Sequence, residues 1–241
     1  MKPRMPQRQM AIRNMNTHER RESRVLTPVL PVSALVLAAV WLAGCSTTVY
    51  HQGDKAAGSS RTAALKVQTE SQALAGTMAT LNNLVDKPAA DLKPQFQCFS
   101  AGLDSLVAAA KRGTVTGNEL VRSNAAYFAA WHQQLATITN ADVRSRSEAR
   151  KVEVCNQFNT ANHLYAQAQD DLRSLVDYLQ DIRRALSADL TASGVEAVKP
   201  LVTTANTNAG KVQTALSQAG TELAALSTRM SSAGGETGAG K

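Results

Sequence analysis

The strongest constraint on the fold is an apolar repeat between Val154 and Leu186. Its apolar residues follow one another at alternating intervals of four and three: Val154, Phe158, Ala161, Tyr165, Ala168, Leu172, Leu175, Leu179, Ile182 and Leu186. A repeat of 3.5 residues kept over more than four heptads is typical of a helix that packs along a coiled-coil-like seam. This segment therefore predicts one long helix.

A second repeat of the same kind runs from Val195 to Met230. Ser193 and Glu196 have the spacing of a capping box, which predicts that this helix begins near Ser193. Pro200 lies inside the repeat, where its ring removes a backbone hydrogen bond and predicts a kink near the helix start.

Two more helices are predicted upstream. One covers Val67 to Val85, and the next keeps a single apolar phase from Phe96 to Ile138, passing through Gly113 and Gly117. The unbroken phase favours one helix of about 50 residues, whereas a break around the two glycines is the alternative. If the helix is continuous, each glycine costs about 1 kcal/mol relative to alanine, so replacing both should raise the melting temperature.

Short turns near Asp86, Asn140 and Ala188 would make consecutive helices antiparallel. The sequence therefore predicts an all-α fold, an elongated antiparallel bundle of about four long helices with coiled-coil-like packing, over residues 61–230. Residues 45–60 and 231–241 are rich in glycine, serine and threonine and lack an apolar period, so they are predicted to be a flexible tether and a flexible tail.

The N-terminus has the pattern of an export signal. A segment with seven basic and two acidic residues ends at Arg24, and the apolar run from Val32 to Trp41 is about half the length that a membrane-spanning helix needs. Leu42–Cys45 follows and resembles the lipobox of bacterial lipoproteins. The resemblance implies that residues 1–44 are removed as a signal peptide and that Cys45 carries diacylglycerol and an acyl chain such as palmitate.

The same resemblance implies a location. Ser46, rather than aspartate, follows the acylated cysteine. In a lipoprotein this favours the outer membrane, with the body of the protein in the periplasm. The whole chain has a net charge of +7, but only 19 basic and 17 acidic residues remain from Cys45 onward. This small surplus argues against nucleic acid as a general partner.

The mature part resembles a family of bacterial long-helix envelope proteins known only as a domain of unknown function. The similarity covers most of residues 57–216 and is carried by helix-face residues: Tyr127, Phe128, Ala129, Ala130, Trp131, Leu135, Arg146, Ser147, Glu148, Arg150, Leu179, Gln180, Asp181, Ile182, Asp189 and Leu190. The resemblance implies a long-helix protein of the envelope and carries over no activity.

No motif of catalysis stands out, and we expect no catalytic residue, no cofactor and no metal ligand. His132 and His163 lack a histidine or carboxylate four residues away, which favours solvated histidines. Four aspartates are interleaved with arginines, which favours an ion-paired surface over paired-carboxylate catalysis: Asp170, Asp171, Asp177 and Asp181.

Cys98 and Cys155 are predicted to be two separate thiols. A continuous second helix would place them ~40 Å apart, whereas a disulfide needs Cα atoms within ~7 Å. Each is expected to be a small buried apolar residue.

Four basic residues cluster just after the Asn140 turn and form, with Trp131, a possible membrane-proximal contact: Arg144, Arg146, Arg150 and Lys151. Antiparallel helices would place this turn at the end of the bundle that carries the lipid, where basic groups meet anionic headgroups or another envelope component. The alternative is that the aromatic residues belong to the core and the charges are solvated.

Together these patterns predict a non-enzymatic, lipid-anchored envelope protein that acts as a helical interaction or spacer module in the periplasm. Its partners would be the membrane, through the N-terminal lipid, and an envelope protein or peptidoglycan. The alternatives are a structural lipoprotein tethered to peptidoglycan through Lys241, or an enzyme with no recognisable motif. The oligomeric state stays open.

Overall fold

The computed structural model describes residues 48–232, which form four long helices and no strand. They are α1 (Val49–Asp86), α2 (Lys93–Ala136), α3 (Ala141–Ala188) and α4 (Ala192–Met230). The predicted all-α class and the predicted turns near Asp86, Asn140 and Ala188 are confirmed. Residues 1–47 and 233–241 lie outside the described part of the chain, so the predicted signal peptide, the lipid site at Cys45 and the sorting residue Ser46 lie outside it too.

The helices form an antiparallel bundle in which each packs against two others. α1 and α3 both contact α2 and α4. Polar pairs fix the register of α1 and α4: the side chains of Asn82 and Asn206 exchange hydrogen bonds of 3.0 and 2.9 Å, and Asp54 accepts from the Ser232 backbone at 2.8 Å. Short connections thus give an up-down-up-down bundle.

The apolar repeats of the sequence line the core, as predicted. Leu172, Leu179, Leu186, Leu216 and Leu223 are all fully buried. Burying a leucine side chain contributes roughly 2 kcal/mol, so these layers supply much of the stability. The core lies within the described residues, which make one compact unit.

The predicted tether is wrong from Val49 onward, because α1 begins there. Gly53, Ala56, Ala57 and Ser60 are buried against the other helices. A helix whose buried face is made of glycine, alanine and serine packs by close approach and shows no apolar period. The helical domain therefore begins at Val49 and not at residue 61.

The start of α4 also differs from the prediction. Thr191, not Ser193, caps the helix: the Thr191 hydroxyl accepts from the Gly194 backbone N–H at 3.1 Å and donates to Asp189 at 2.8 Å. A Cβ at Gly194 would collide with the Asp189 carbonyl oxygen, so this capping turn requires glycine. The helix then continues through Pro200.

α2 runs without a break through Gly113 and Gly117, which confirms the favoured continuous helix, although it ends at Ala136. Cys98 and Cys155 are both free thiols, as predicted. The expectation that both are buried is wrong, since Cys98 is exposed and Cys155 is half-buried. Within residues 48–232, no helix is apolar over a stretch long enough to cross a membrane.

Candidate functional site

The α2–α3 hairpin projects beyond the end of α4. A Cβ at Gly53 of α1 would lie 3.1 Å from the Tyr127 ring and 3.6 Å from the Met230 carbonyl oxygen, so the last residue of α4 is level with Tyr127. From there α2 continues nine residues to Ala136, or ~14 Å. We call residues 128–152 the hairpin tip.

The start of α3 projects in the same way. Arg229, in the last turn of α4, lies close enough to Glu153 to help lower the pKa of that carboxyl, behind the larger effect of Arg150. The twelve residues of α3 before Glu153 therefore lie past the end of α4. Val49, the first residue of α1, lies only four residues, or ~6 Å, past Gly53, so the hairpin tip also extends beyond α1.

Aromatic side chains join α2 to α3 at the base of the hairpin tip. The Tyr127 ring centroid lies 5.3 Å from that of Trp131, and the Phe128 centroid lies 5.8 Å from that of Phe158. Trp131 is half-buried, and its indole N–H donates to the Ser147 hydroxyl at 3.1 Å. Trp131 therefore holds the two helices together, which is the core role that the sequence left open as the alternative.

The four predicted basic residues do lie together on the hairpin tip. Arg144, Arg146 and Arg150 are exposed and Lys151 is half-buried. Arg150 pairs with Glu153 at 2.7 Å, whereas the other three form no ion pair with any carboxylate of residues 48–232. The alternative of solvated charges is thus the arrangement seen in this structure.

Two exposed valines lie among these charges. Val143 and Val152 are 55% and 54% exposed; Val143 precedes Arg144, and Val152 follows Lys151. The tip therefore combines basic groups with apolar side chains that no part of the described bundle covers.

A polar layer that the sequence did not predict crosses the middle of the bundle. Glu70 of α1 is 1% exposed and accepts a 2.7 Å hydrogen bond from the Gln169 side chain of α3. Tyr165, also on α3, donates at 2.6 Å to the Gly113 carbonyl oxygen of α2. We call Glu70, Gly113, Tyr165 and Gln169 the polar layer.

The polar layer changes the titration of two of its members. Burial raises the pKa of Glu70 to about 7, although the Gln169 hydrogen bond and the Arg112 charge act in the opposite direction. Burial, and then the charge of Glu70, raise the pKa of Tyr165. Glu70 Oε1 has no hydrogen-bond partner among the described residues. In the sequence, the burial of Glu70 is indicated only by its spacing: it lies three residues after Val67 and four before Leu74, which are both buried.

The two glycines of α2 make room for this layer. A Cβ at Gly113 would collide with Glu70 Oε1, and a Cβ at Gly117 would lie 2.9 Å from the Tyr165 ring. Both positions need glycine for close approach rather than for a turn, since the helix is continuous there.

The other predicted groups stay apart. His132 and His163 are exposed on different helices, and no group of three metal-binding side chains exists within residues 48–232. The predicted ion-paired face of α3 is confirmed by the bridges from Arg173 to Asp170 at 2.8 Å and from Arg184 to Asp181.

Comparison with known proteins places this chain in a family. The model of the family described as "Protein of unknown function (DUF2959)" matches residues 55–227. The chain belongs to this family. The match takes in the polar layer and the hairpin tip, so both lie in the part that defines the family. No curated protein and no solved structure matches the chain.

Proposed function

We propose that this chain is a lipid-anchored, non-enzymatic envelope protein whose helical bundle acts as an interaction or spacer module in the periplasm. The observation that carries the proposal is the start of α1 at Val49, four residues after Cys45. The chain from Cys45 to Val49, a step of four residues, spans at most ~14 Å. An acyl chain on Cys45 would therefore hold the bundle directly at the membrane surface.

The length of the bundle supports a spacer role. α2 and α3 contain 44 and 48 residues, which correspond to ~66 and ~72 Å. Because the helices are antiparallel, the α1–α2 and α3–α4 connections lie at the end far from Val49. A bundle anchored at Val49 would present those connections roughly 60 Å from the membrane.

The use of the carboxylates supports a role without catalysis. Glu70 is engaged with Gln169 inside the core, and Asp170 and Asp181 pair with arginines on the surface of α3. Glu70 therefore contributes to packing between helices, and the two aspartates contribute surface ion pairs along one helix, both of which are structural roles.

The decisive experiment compares two cysteine variants in cells fed an alkyne-bearing palmitate analogue. The wild-type chain and Cys98→Ala should both incorporate the label and fractionate with membranes. Cys45→Ala should incorporate none and accumulate as an uncut precursor. Labelled and cut Cys45→Ala would overturn the lipid anchor.

The same cells test the location and the wall-tethered alternative. Density separation should place the labelled protein with the outer membrane, and Ser46→Asp should move it toward the inner membrane. Recovery of the wild-type chain with muramidase-released fragments on Lys241 would instead favour the peptidoglycan-tethered lipoprotein.

A further inference from the structure

We propose that the hairpin tip is a docking surface for the anionic phospholipid headgroups of the membrane that holds the acyl chain. The inference rests on the proposed anchor at Cys45, because the anchor brings this end of the bundle to the membrane. It adds a second, independent contact between the protein body and lipid.

First, the hairpin tip lies at the end of the bundle nearest Cys45. The tip projects past both α4 and the first residue of α1, as the contacts of Gly53 with Tyr127 and Met230 show. With only three residues between Cys45 and Val49, the Asn140 turn is within reach of the surface in which the lipid is embedded. The opposite end of the bundle lies out of reach.

The charge of the hairpin tip comes second. Residues 141–152 contain four basic and two acidic residues, and the end of α2 from residue 128 adds only His132. At the opposite end, residues 83–95 and 181–199 contain five basic and five acidic residues, which cancel. The end nearest the anchor thus has the sign that an anionic membrane surface attracts.

The exposed valines come third. Val143 and Val152 place uncovered apolar side chains beside Arg144 and Lys151. Apolar groups next to basic ones suit the boundary between headgroups and acyl chains, where both kinds of side chain are satisfied. A purely acidic protein partner would be attracted by the charges alone, so the combination favours lipid.

The test uses residues 46–241, whose helices share one core and which carry no acyl chain. Binding to phosphatidylethanolamine vesicles with and without phosphatidylglycerol is measured by sedimentation at low salt. The tip variant replaces four residues by glutamine: Arg144, Arg146, Arg150 and Lys151. The matched control makes the same change in charge at the opposite end: Lys87, Lys93, Arg184 and Lys199.

We expect the wild-type segment and the control to bind only the anionic vesicles, and added salt to weaken both. The tip variant should bind roughly 10- to 30-fold more weakly, because it loses four positive charges whose attraction to the headgroups is partly screened by water. Thermal melts of all three proteins should agree, because these side chains lie outside the core. Equal weakening of the control, or equal binding of neutral vesicles, would overturn the proposal.

A second arm separates lipid from protein as the occupant. A photoreactive amino acid in place of Arg146 in the acylated, membrane-bound chain should form adducts with phospholipid. Adducts with protein alone would overturn the proposal. The vesicle arm uses a segment without Cys45, so a failed anchor and a failed tip are distinguishable.

Discussion

Replacing Gly113 by alanine should destabilise the bundle, even though Gly113 lies in the middle of a continuous helix. The added Cβ would collide with Glu70 Oε1, and Glu70 is 1% exposed. The Cβ would also lie 2.5 Å from Gln169 Oε1, so the Glu70 carboxyl and the Gln169 amide must both shift, which disturbs the 2.7 Å hydrogen bond between them. The substitution therefore raises the helix propensity of α2 at this position but disrupts the polar layer across the core.

The magnitude follows from two opposing effects. Alanine in place of glycine in a helix interior contributes about 1 kcal/mol. Leaving a buried donor and a buried acceptor without partners costs roughly 1–3 kcal/mol for each group. The net loss in the free energy of unfolding should be about 1–5 kcal/mol.

Gly76→Ala and Gly210→Ala are the matched controls. Both glycines lie in helix interiors, and a Cβ at either meets no atom within 4 Å. Each control should gain about 1 kcal/mol, the helix-propensity effect alone. Urea titrations of the three variants and the wild type give the required free energies.

A double-mutant cycle isolates the collision. In a Glu70→Ala background the nearer collision is absent, and Gln169, whose Oε1 would lie 2.5 Å from the Cβ, loses the hydrogen-bond partner that holds it in place, so Gly113→Ala should lose much of its penalty. The coupling between the two sites should reach 1 kcal/mol or more, within the usual range for contacting residues. If Gly113→Ala stabilises the wild-type chain as much as Gly76→Ala does, the assigned role of the polar layer is refuted.

The free energy of unfolding should fall by roughly 3 kcal/mol as the pH rises from about 4.5 through about 7. Over this range the native state keeps the proton on the Glu70 carboxyl, whereas the unfolded chain has already released it. Above pH 7 this contribution should be flat, and Glu70→Gln should remove it; an unchanged pH profile would contradict the buried, protonated carboxyl. Leu179→Ala should cost about 2–5 kcal/mol in urea titrations because Leu179 is fully buried, whereas Leu201→Ala, at a side chain 42% exposed, should cost much less. Thr191→Ala should lower the free energy of unfolding by about 1 kcal/mol through loss of the cap, and Ser193→Ala should change it little; the reverse order would restore the capping box inferred from sequence.

The sequence predicted the long helices because their seams are made of large apolar residues. Leu172, Leu179 and Leu186 repeat at heptad spacing, a pattern that is typical of a long packed helix. The continuity of α2 was predicted for the same reason, since the phase is the same on both sides of Gly113 and Gly117.

The first turns of α1 were missed because close packing of small residues leaves no apolar signal. Gly53 and Ser60 are typical of linkers in a sequence, yet both are buried in the bundle. Here the reason for helix formation lies in a partner, Tyr127 on α2, that is distant in sequence.

The polar layer was missed because a glutamate is normally assigned to the surface. Only the structure shows that Glu70 lies opposite Gly113 and meets Gln169, two contacts that join three different helices, and that Gly117 lies opposite Tyr165. The same contacts reverse the expectation that alanine at Gly113 and Gly117 would raise the melting temperature.

The basic cluster was predicted from its spacing, and its place at the start of α3 followed from the helix order. What the sequence did not show is that α4 ends at Met230, level with Tyr127, which leaves the hairpin tip uncovered. Trp131 was predicted to share this contact surface, but it is half-buried between α2 and α3, where its indole N–H donates to Ser147.

The central claim, that the bundle is held at the membrane by a lipid on Cys45, is tested most directly by mass spectrometry of the N-terminal peptide of the protein purified from its native membranes. The account predicts a peptide that begins at Cys45 and carries the mass of diacylglycerol with or without one further acyl chain. A mature protein that retains peptides from residues 1–44, or that begins at an unmodified residue, would contradict it.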